Sequence, residues 1–273
     1  MAVVWPEMDP RDWLGLQATH NPMRFVLPVV PGISTGQGFL FGGCALGAAI
    51  AAMEDATGRP VIWATAQYLS YAHVPAMLDV DVTIAVGGKT ITQARAVGHV
   101  GETEIVTVNA ALGARHLDAE GIWVDPPDVP RPDQCRHRSL PDDDVESIRK
   151  RLDVRLARAH DWDDIEGQPM PDGRSTLWAR TPDGLDLSSG AGLAVLGDYV
   201  PFGIRQALGR PGGGNSLDNT LRVYRLVPTE WVLLDIRIHG VANGIGHGVV
   251  HLWSEDDTLL ATASQSAIVR VHE

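Results

Sequence analysis

From Phe41 to Gly58 the chain reads "FGGCALGAAIAAMEDATG", small or apolar on every helical face until Glu54 and Asp55. A segment with no polar stripe predicts a helix buried all round, with glycines at its start and Gly58 as its C-cap. A second segment of the same character, "SSGAGLAVLGDYVPFG", begins at Ser188, with Ser188 or Ser189 as a plausible N-cap. Alternating strand patterns follow each helix. In "GNSLDNTLRVYR", Leu217, Asn219, Leu221 and Val223 fall on one face, and Ser216, Asp218, Thr220, Arg222 and Tyr224 on the other. That second face is too polar for a strand that only closes a core.

The pattern repeats. "YAHVPAMLDVDVTI" (71–84) and "YRLVPTEWVLLDIRI" (224–238) share Tyr, Val and Pro, and each pair is 153 residues apart. Both place a strand, a Val-Pro turn and another strand in succession, and proline suits the turn because it cannot donate to a ladder. Two further strands follow in each copy, "TITQARAVGHV" with "EIVTVNAALG" and "GHGVVHLWS" with "LLATASQSAIV". A repeat this long means two duplicated domains, not a solenoid. The expected organisation is an α+β chain with an N-terminal unit over 1–122, a Pro-rich acidic linker over 123–144, and a C-terminal unit over 145–273. "IRKRLDVRLARA" and "RSTLWARTPDG" open the second unit. A helix wrapped by one curved antiparallel sheet is a hotdog, so the pattern predicts a double hotdog.

Composition narrows the function. Hydrophobic residues make up 44%, enough for a substantial core. With 22 Lys and Arg against 34 Asp and Glu, the net charge of −12 argues against a general nucleic-acid binder. It leaves room for an anionic small ligand met by local arginines. Cys44 lies in an apolar stretch and Cys135 in a polar one, which does not indicate a disulfide framework. The start, "MAVVWPEMDPRDW", has no basic n-region, and the apolar run "CALGAAIAAM" is too short for a membrane span. A soluble cytoplasmic protein is the default expectation. "GRPGGGNS" lacks the ending of a phosphate loop. His247 and His251 lie roughly 13 Å apart on a strand, too far to share a zinc, so no metal is expected.

Several stretches resemble the type II acyl-CoA thioesterases of the double-hotdog superfamily. "GFLFGGCALGAAI" is similar to that family's Phe-Gly-Gly helix opening, "TLWARTPDG" to the strand before its second helix, and "LGDYVP" to the segment bearing its catalytic aspartate. "SLDNTLRVYR" is similar to a strand that begins with threonine, continues Ile-Asp-His and ends in arginine. "ATASQSAIVR" is similar to the last strand, with its catalytic glutamine. The resemblance places the aspartate at Asp198, the threonine at Ser216 and the glutamine at Gln265. Serine keeps the hydroxyl but is freer at χ1 than threonine. The family's histidine in the strand after the first helix has no counterpart in "VIWATAQYL", and no role transfers there.

The residues themselves leave some roles open. Asp198 reads either as a site carboxylate on an apolar helix or as a surface aspartate near the helix end. Gln265, among Ala261, Ala263 and Ala267, can donate and accept at once, as a water-holding group should; it also reads as an edge-strand polar residue. Ser216 lies outside Gly-x-Ser-x-Gly, so it is expected to line the site and hold water, not to form an acyl-enzyme. Asp218 is expected to support structure by a salt bridge with Arg222 or another cation. Gly42 and Gly43 either offer N–H groups to an oxyanion or only permit close helix–sheet packing. Shifted by about one repeat, Ser216 corresponds to Trp63 and Gln265 to Ala111, so the first half is expected to lack a matching trio.

The resemblance therefore implies hydrolysis of acyl-CoA by direct water attack, without cofactor. It implies an acyl-CoA substrate, no nucleic-acid or membrane partner, and a homo-oligomer, a dimer of double hotdogs. The alternatives are a non-catalytic acyl-CoA-binding hotdog protein and a hotdog hydratase. "YVPFGIRQ" lacks the histidine that a hydratase carries after its aspartate.

Overall fold

The computed structural model describes residues 8–140 and 145–271. Residues 1–7, read above for a leader, and 141–144, the acidic end of the expected linker, lie outside the described residues, as do 272–273.

The first half runs α1 (Pro10–Leu14), β1 (Gln17–Ala18), β2 (Arg24–Val29), α2 (Gly42–Thr57), β3 (Val61–Tyr68), β4 (Ala76–Gly87), β5 (Ile91–Val100) and β6 (Thr103–Gly113). The second runs β7 (Arg136–His137), β8 (Asp153–Arg158), β9 (Arg174–Arg180), α3 (Gly190–Leu196), α4 (Val200–Leu208), β10 (Gly212–Ser216), β11 (Asp218–Val223), β12 (Val232–Ala242), β13 (Ile245–Ser254) and β14 (Leu259–Val271). The strands form one sheet in the order β1-β2-β4-β5-β6-β3-β11-β14-β13-β12-β9-β8-β7, with β10 also on β14. The ladders between these strands are antiparallel. The block β2-β4-β5-β6-β3 has the same order as β9-β12-β13-β14-β11, and the two blocks join at β3–β11. At that seam Thr65 pairs with Thr220, and their hydroxyls hydrogen-bond at 2.6 Å.

The apolar helix is buried as its sequence predicts. Gly43 to Met53 is buried without interruption, and Gly58 caps the helix in the left-handed region at φ 63°. Gly43 and Gly47 serve a helix–helix contact, whereas packing against the sheet is one of the two readings that the sequence allows for Gly42 and Gly43. A Cβ at Gly43 would come within 2.8 Å of the Val195 carbonyl, and one at Gly47 within 2.9 Å of the Ala191 carbonyl. The second helix differs from its expectation of one continuous rod. It breaks at Gly197–Asp198–Tyr199 and resumes as α4. Pro201 explains the break, because its ring clashes with the carbonyl four residues earlier, that of Gly197, and it has no N–H to return.

The Pro-rich stretch before β7 is docked, not a free tether. A second apolar cluster on the C-terminal half contains Trp178, Trp231 and Trp253, and Cys135 is buried among them. The Trp178 indole donates to the Pro130 carbonyl at 2.9 Å. Three large rings on the outer face of the sheet need a cover, and this segment supplies it. Among the described residues no helix is long and apolar enough to cross a membrane.

Candidate active site

The break between α3 and α4 places Asp198 beside the start of α2. The carboxylate is 8% exposed and meets three donors. Gln265 Nε2 donates to Oδ1 at 2.5 Å, Gly43 N–H donates to Oδ2 at 2.8 Å, and Ser216 Oγ lies 3.4 Å from Oδ1. Gln265 Nε2 also reaches Ser216 Oγ at 3.2 Å. Its other end is fixed, since Val200 N–H donates to Gln265 Oε1 at 3.1 Å. That bond satisfies one of the amides left over at the first turn of α4 and orients the side-chain amide. The structure thus brings Asp198, Ser216 and Gln265 together.

Burial pushes the Asp198 carboxyl above the usual carboxylate range; Gln265, Gly43 and Ser216 pull the other way without offsetting it. The Gly43 amide belongs to the first turn of α2, so the positive end of that helix faces the carboxylate as well. A base of raised pKa held by fixed donors matches what proton abstraction from water near neutral pH requires.

Gly42 and Gly43 hold the site in a way the oxyanion reading did not include. Gly43 N–H is already bonded to Asp198. A Cβ at Gly42 would lie 2.7 Å from Asp198 Oδ2 and 3.0 Å from Tyr68 Cζ. Glycine at 42 is what allows carboxylate and tyrosine to approach the helix start. Tyr68, at the end of β3, donates its hydroxyl to the Gly42 carbonyl at 2.8 Å. Asn219 is fully buried with its amide unpaired among the described residues. Sequence reading passed over both. Their signal was a polar group at an inward strand position: Tyr68 shares a face with buried Ala64 and Ala66, and Asn219 sits opposite Ala66.

The strand around Ser216 corrects the two-face assignment. Ser216 sits opposite Ala267, whereas Thr220 sits opposite Ser264, so four steps on one strand match three on the other. The extra residue, at Leu217, reverses the alternation. Ser216 therefore faces inward with Gln265, and so do Asn219 and Leu221 beyond the bulge, while Leu217 is exposed. Asp218 makes no ion pair with Arg222; its Oδ1 accepts from Ser266 N–H at 2.8 Å. A carboxylate beside a bulge finds a freed backbone amide nearer than a flexible guanidinium.

Bulge-to-bulge register also corrects the correspondence between halves. The bulge at Ile84/Val86 matches that at Ile238/Gly240, which aligns Ala94 with Gly248. Their partners on the next strands are Ala110 and Gln265. One strand further, Val61 takes the place of Ser216. The counterparts are thus Ala110 and Val61, not Ala111 and Trp63, because bulges make the repeat offset vary.

A profile of the acyl-CoA thioesterase C-terminal domain matches residues 132–269. The chain belongs to this acyl-CoA thioesterase family. A candidate thioesterase from Novosphingobium aromaticivorans is 31% identical, with a TM-score of 0.82 over 94% of this chain and 98% of that one. A hotdog-fold protein of unknown function from Alicyclobacillus acidocaldarius is 20% identical, with a TM-score of 0.83 over 97% and 98% of the two chains. Acyl-CoA thioesterase II from Mycobacterium marinum is 17% identical, with a TM-score of 0.74 over 97% and 99%. The last two likenesses place this family member in the hotdog fold and go no further. A search of curated proteins finds no match.

Proposed function

We propose that this chain is an acyl-CoA thioesterase built of two tandem hotdog units, 1–122 and 145–273, with one working site at Asp198. Asp198 takes a proton from a water held by Ser216 and Gln265. The water oxygen adds to the thioester carbonyl, and the tetrahedral intermediate collapses to the acid and the CoA thiolate. The proton on Asp198 then returns to the departing sulfur. The carbonyl oxygen approaches the start of α2. There the Gly42 amide is the available donor, since that of Gly43 holds the base.

No covalent step is needed. Ser216 has a carboxylate and an amide beside it, not a histidine base. Cys44, next to Gly43, is fully buried, and burial pushes its thiol far above the range of a reactive cysteine.

The observation that carries this reading is the convergence of a glutamine, a serine and a helix-start amide on one buried carboxylate. A structural carboxylate at that depth would be stabilised by a cation, and none contacts Asp198 among the described residues. The experiment is thiol release across a panel of short, medium, long, branched and aromatic acyl-CoA esters. Turnover of at least one ester is expected. Tight binding of these esters with no release from any of them would favour an acyl-CoA-binding protein instead.

A further inference from the structure

Beside the catalytic segment lies a cavity of about 270 Å³ whose lining includes Arg138, Arg149, Arg205, Trp162 and Phe202. Three guanidinium groups around one cavity are conspicuous in a chain of net charge −12. Arg205, on α4, has as its hydrogen bond the Gly212 carbonyl at 3.3 Å, and it lies 4.7 Å from the Trp162 ring centre. Burial, and after it the charges of Arg149 and Arg138, bring its pKa down to about 10. Arg138 holds one nitrogen 3.4 Å from the Tyr199 hydroxyl, while its buried Nη2 has no hydrogen-bond partner among the described residues. Asp161 also lines the cavity, but its carboxylate is taken by Ser139 N–H and Oγ, Trp162 N–H and Arg136. Asp163, at the rim, is exposed.

A buried Arg138 nitrogen without a hydrogen-bond partner among the described residues, beside an Arg205 guanidinium held by one long bond, is unfavourable unless an anion completes the pair. Guanidinium forks match the oxygens of carboxylates and phosphates, and a phosphate brings more negative charge to set against two arginines. The cavity is also near the reaction centre along the chain. Tyr199 follows Asp198 directly, and Arg205 stands two helical turns further on, roughly 10 Å along the axis. The Trp162 ring at the mouth is about half exposed and offers a face to a nucleobase.

We propose that this cavity is a phosphate-binding subsite, and that it receives a phosphate of the CoA moiety while the thioester lies at Asp198. The second clause rests on the thioesterase reading; the first does not.

The test is calorimetric binding of CoA, pantetheine and inorganic pyrophosphate to the full chain and to Arg138→Met and Arg205→Met, with thermal unfolding of each variant recorded. Wild type should bind CoA at least about tenfold more tightly than pantetheine. Each substitution should weaken CoA about tenfold and leave pantetheine unchanged, as expected for loss of one charge-assisted contact. Pyrophosphate should compete with CoA. Arg205→Lys, which keeps the cation, should retain part of the difference and guards against a fold defect in Arg205→Met. Equal weakening of CoA and pantetheine, or no weakening of either, would overturn the subsite. Pyrophosphate binding that depends on both arginines, with CoA affinity indifferent to them, would overturn the CoA assignment and leave a free-phosphate site. None of these readouts requires turnover, so an inactive thioesterase reading would be seen separately.

Discussion

Eight residues on from the start of each buried helix, the two halves carry different groups. In α2 that residue is Ile50, fully buried; in the second half it is Asp198. The strands repeat the contrast, with Val61 and Ala110 in the first half where the second has Ser216 and Gln265. One backbone plan therefore carries an apolar plug at one position and a hydrogen-bonded polar cluster at its counterpart. The backbone accommodates the carboxylate only where α3 ends early, at the turn forced by Pro201. That turn frees Val200 N–H for Gln265 and sets Asp198 against the amide of Gly43. A polar site here needs a broken helix on one side and an intact helix start on the other.

The first half has its own half-buried carboxylate, and it behaves differently. Glu54, in the last turn of α2, receives one backbone bond, from Val61 N–H at 2.8 Å. Burial, opposed by that bond and reinforced by Asp9 and Asp186, raises its carboxyl to about 7. The helix C-terminus is also the unfavourable end for a negative charge. Asp198 has three donors at a helix N-terminus, which is what keeps an ionised form accessible.

Three substitutions would break or sharpen this contrast. Ile50→Asp puts the carboxylate at the apolar counterpart, where no glutamine or serine awaits it. It should lower unfolding stability by about 4 kcal/mol or more, the cost of a buried charge added to a lost core side chain. Chemical denaturation measures this. Unchanged stability would mean that the first-half position is already wet. Gln265→Ala removes the donor that orients Asp198 and should reduce kcat by roughly 10- to 100-fold, less than loss of the base itself. KM should move little, because the amide acts on the base and its water. A KM rise with unaltered kcat would make Gln265 a substrate-binding group.

Glu54→Gln should give the smallest effect, and it should depend on pH. The native carboxyl is raised, so its favourable contribution holds below the unfolded value of about 4.3 and is lost as pH climbs through about 7. Glutamine keeps the oxygen that Val61 N–H needs. At pH 8 the variant should be more stable by about 1 kcal/mol, roughly 2–4 °C in Tm, with the gap closing toward pH 5. A gap independent of pH would show that the carboxyl does not titrate in this interval.

Much of this was legible in the residues. The unbroken small and apolar character of 41–53 pointed to the buried helix, and alternation to the long strands, because both periodicities are imposed by burial. Asp198 and Gln265 stood out as polar groups amid alanine, glycine and leucine. What local pattern did not reveal depends on partners distant in sequence. The bulge at Leu217 exists only relative to β14, so the face of Ser216 was unreadable from its own strand. Pro201 was visible, but its effect on α3 and α4 was missed because the helix was read as one apolar run. The cover over Trp178, Trp231 and Trp253 comes from a stretch whose proline content resembles a tether until the indole donor opposite Pro130 is seen.

The most direct test of the central claim is steady-state hydrolysis of a medium-chain acyl-CoA by wild type and Asp198→Asn across pH. Asparagine keeps the size and removes the proton acceptor. The variant should lose about 10²–10⁴-fold in kcat. The acidic limb of the wild-type profile, set above the usual carboxylate range by burial of Asp198, should disappear with it. Wild-type rates in a folded Asp198→Asn, with the limb intact, would contradict the assignment of Asp198 as the base.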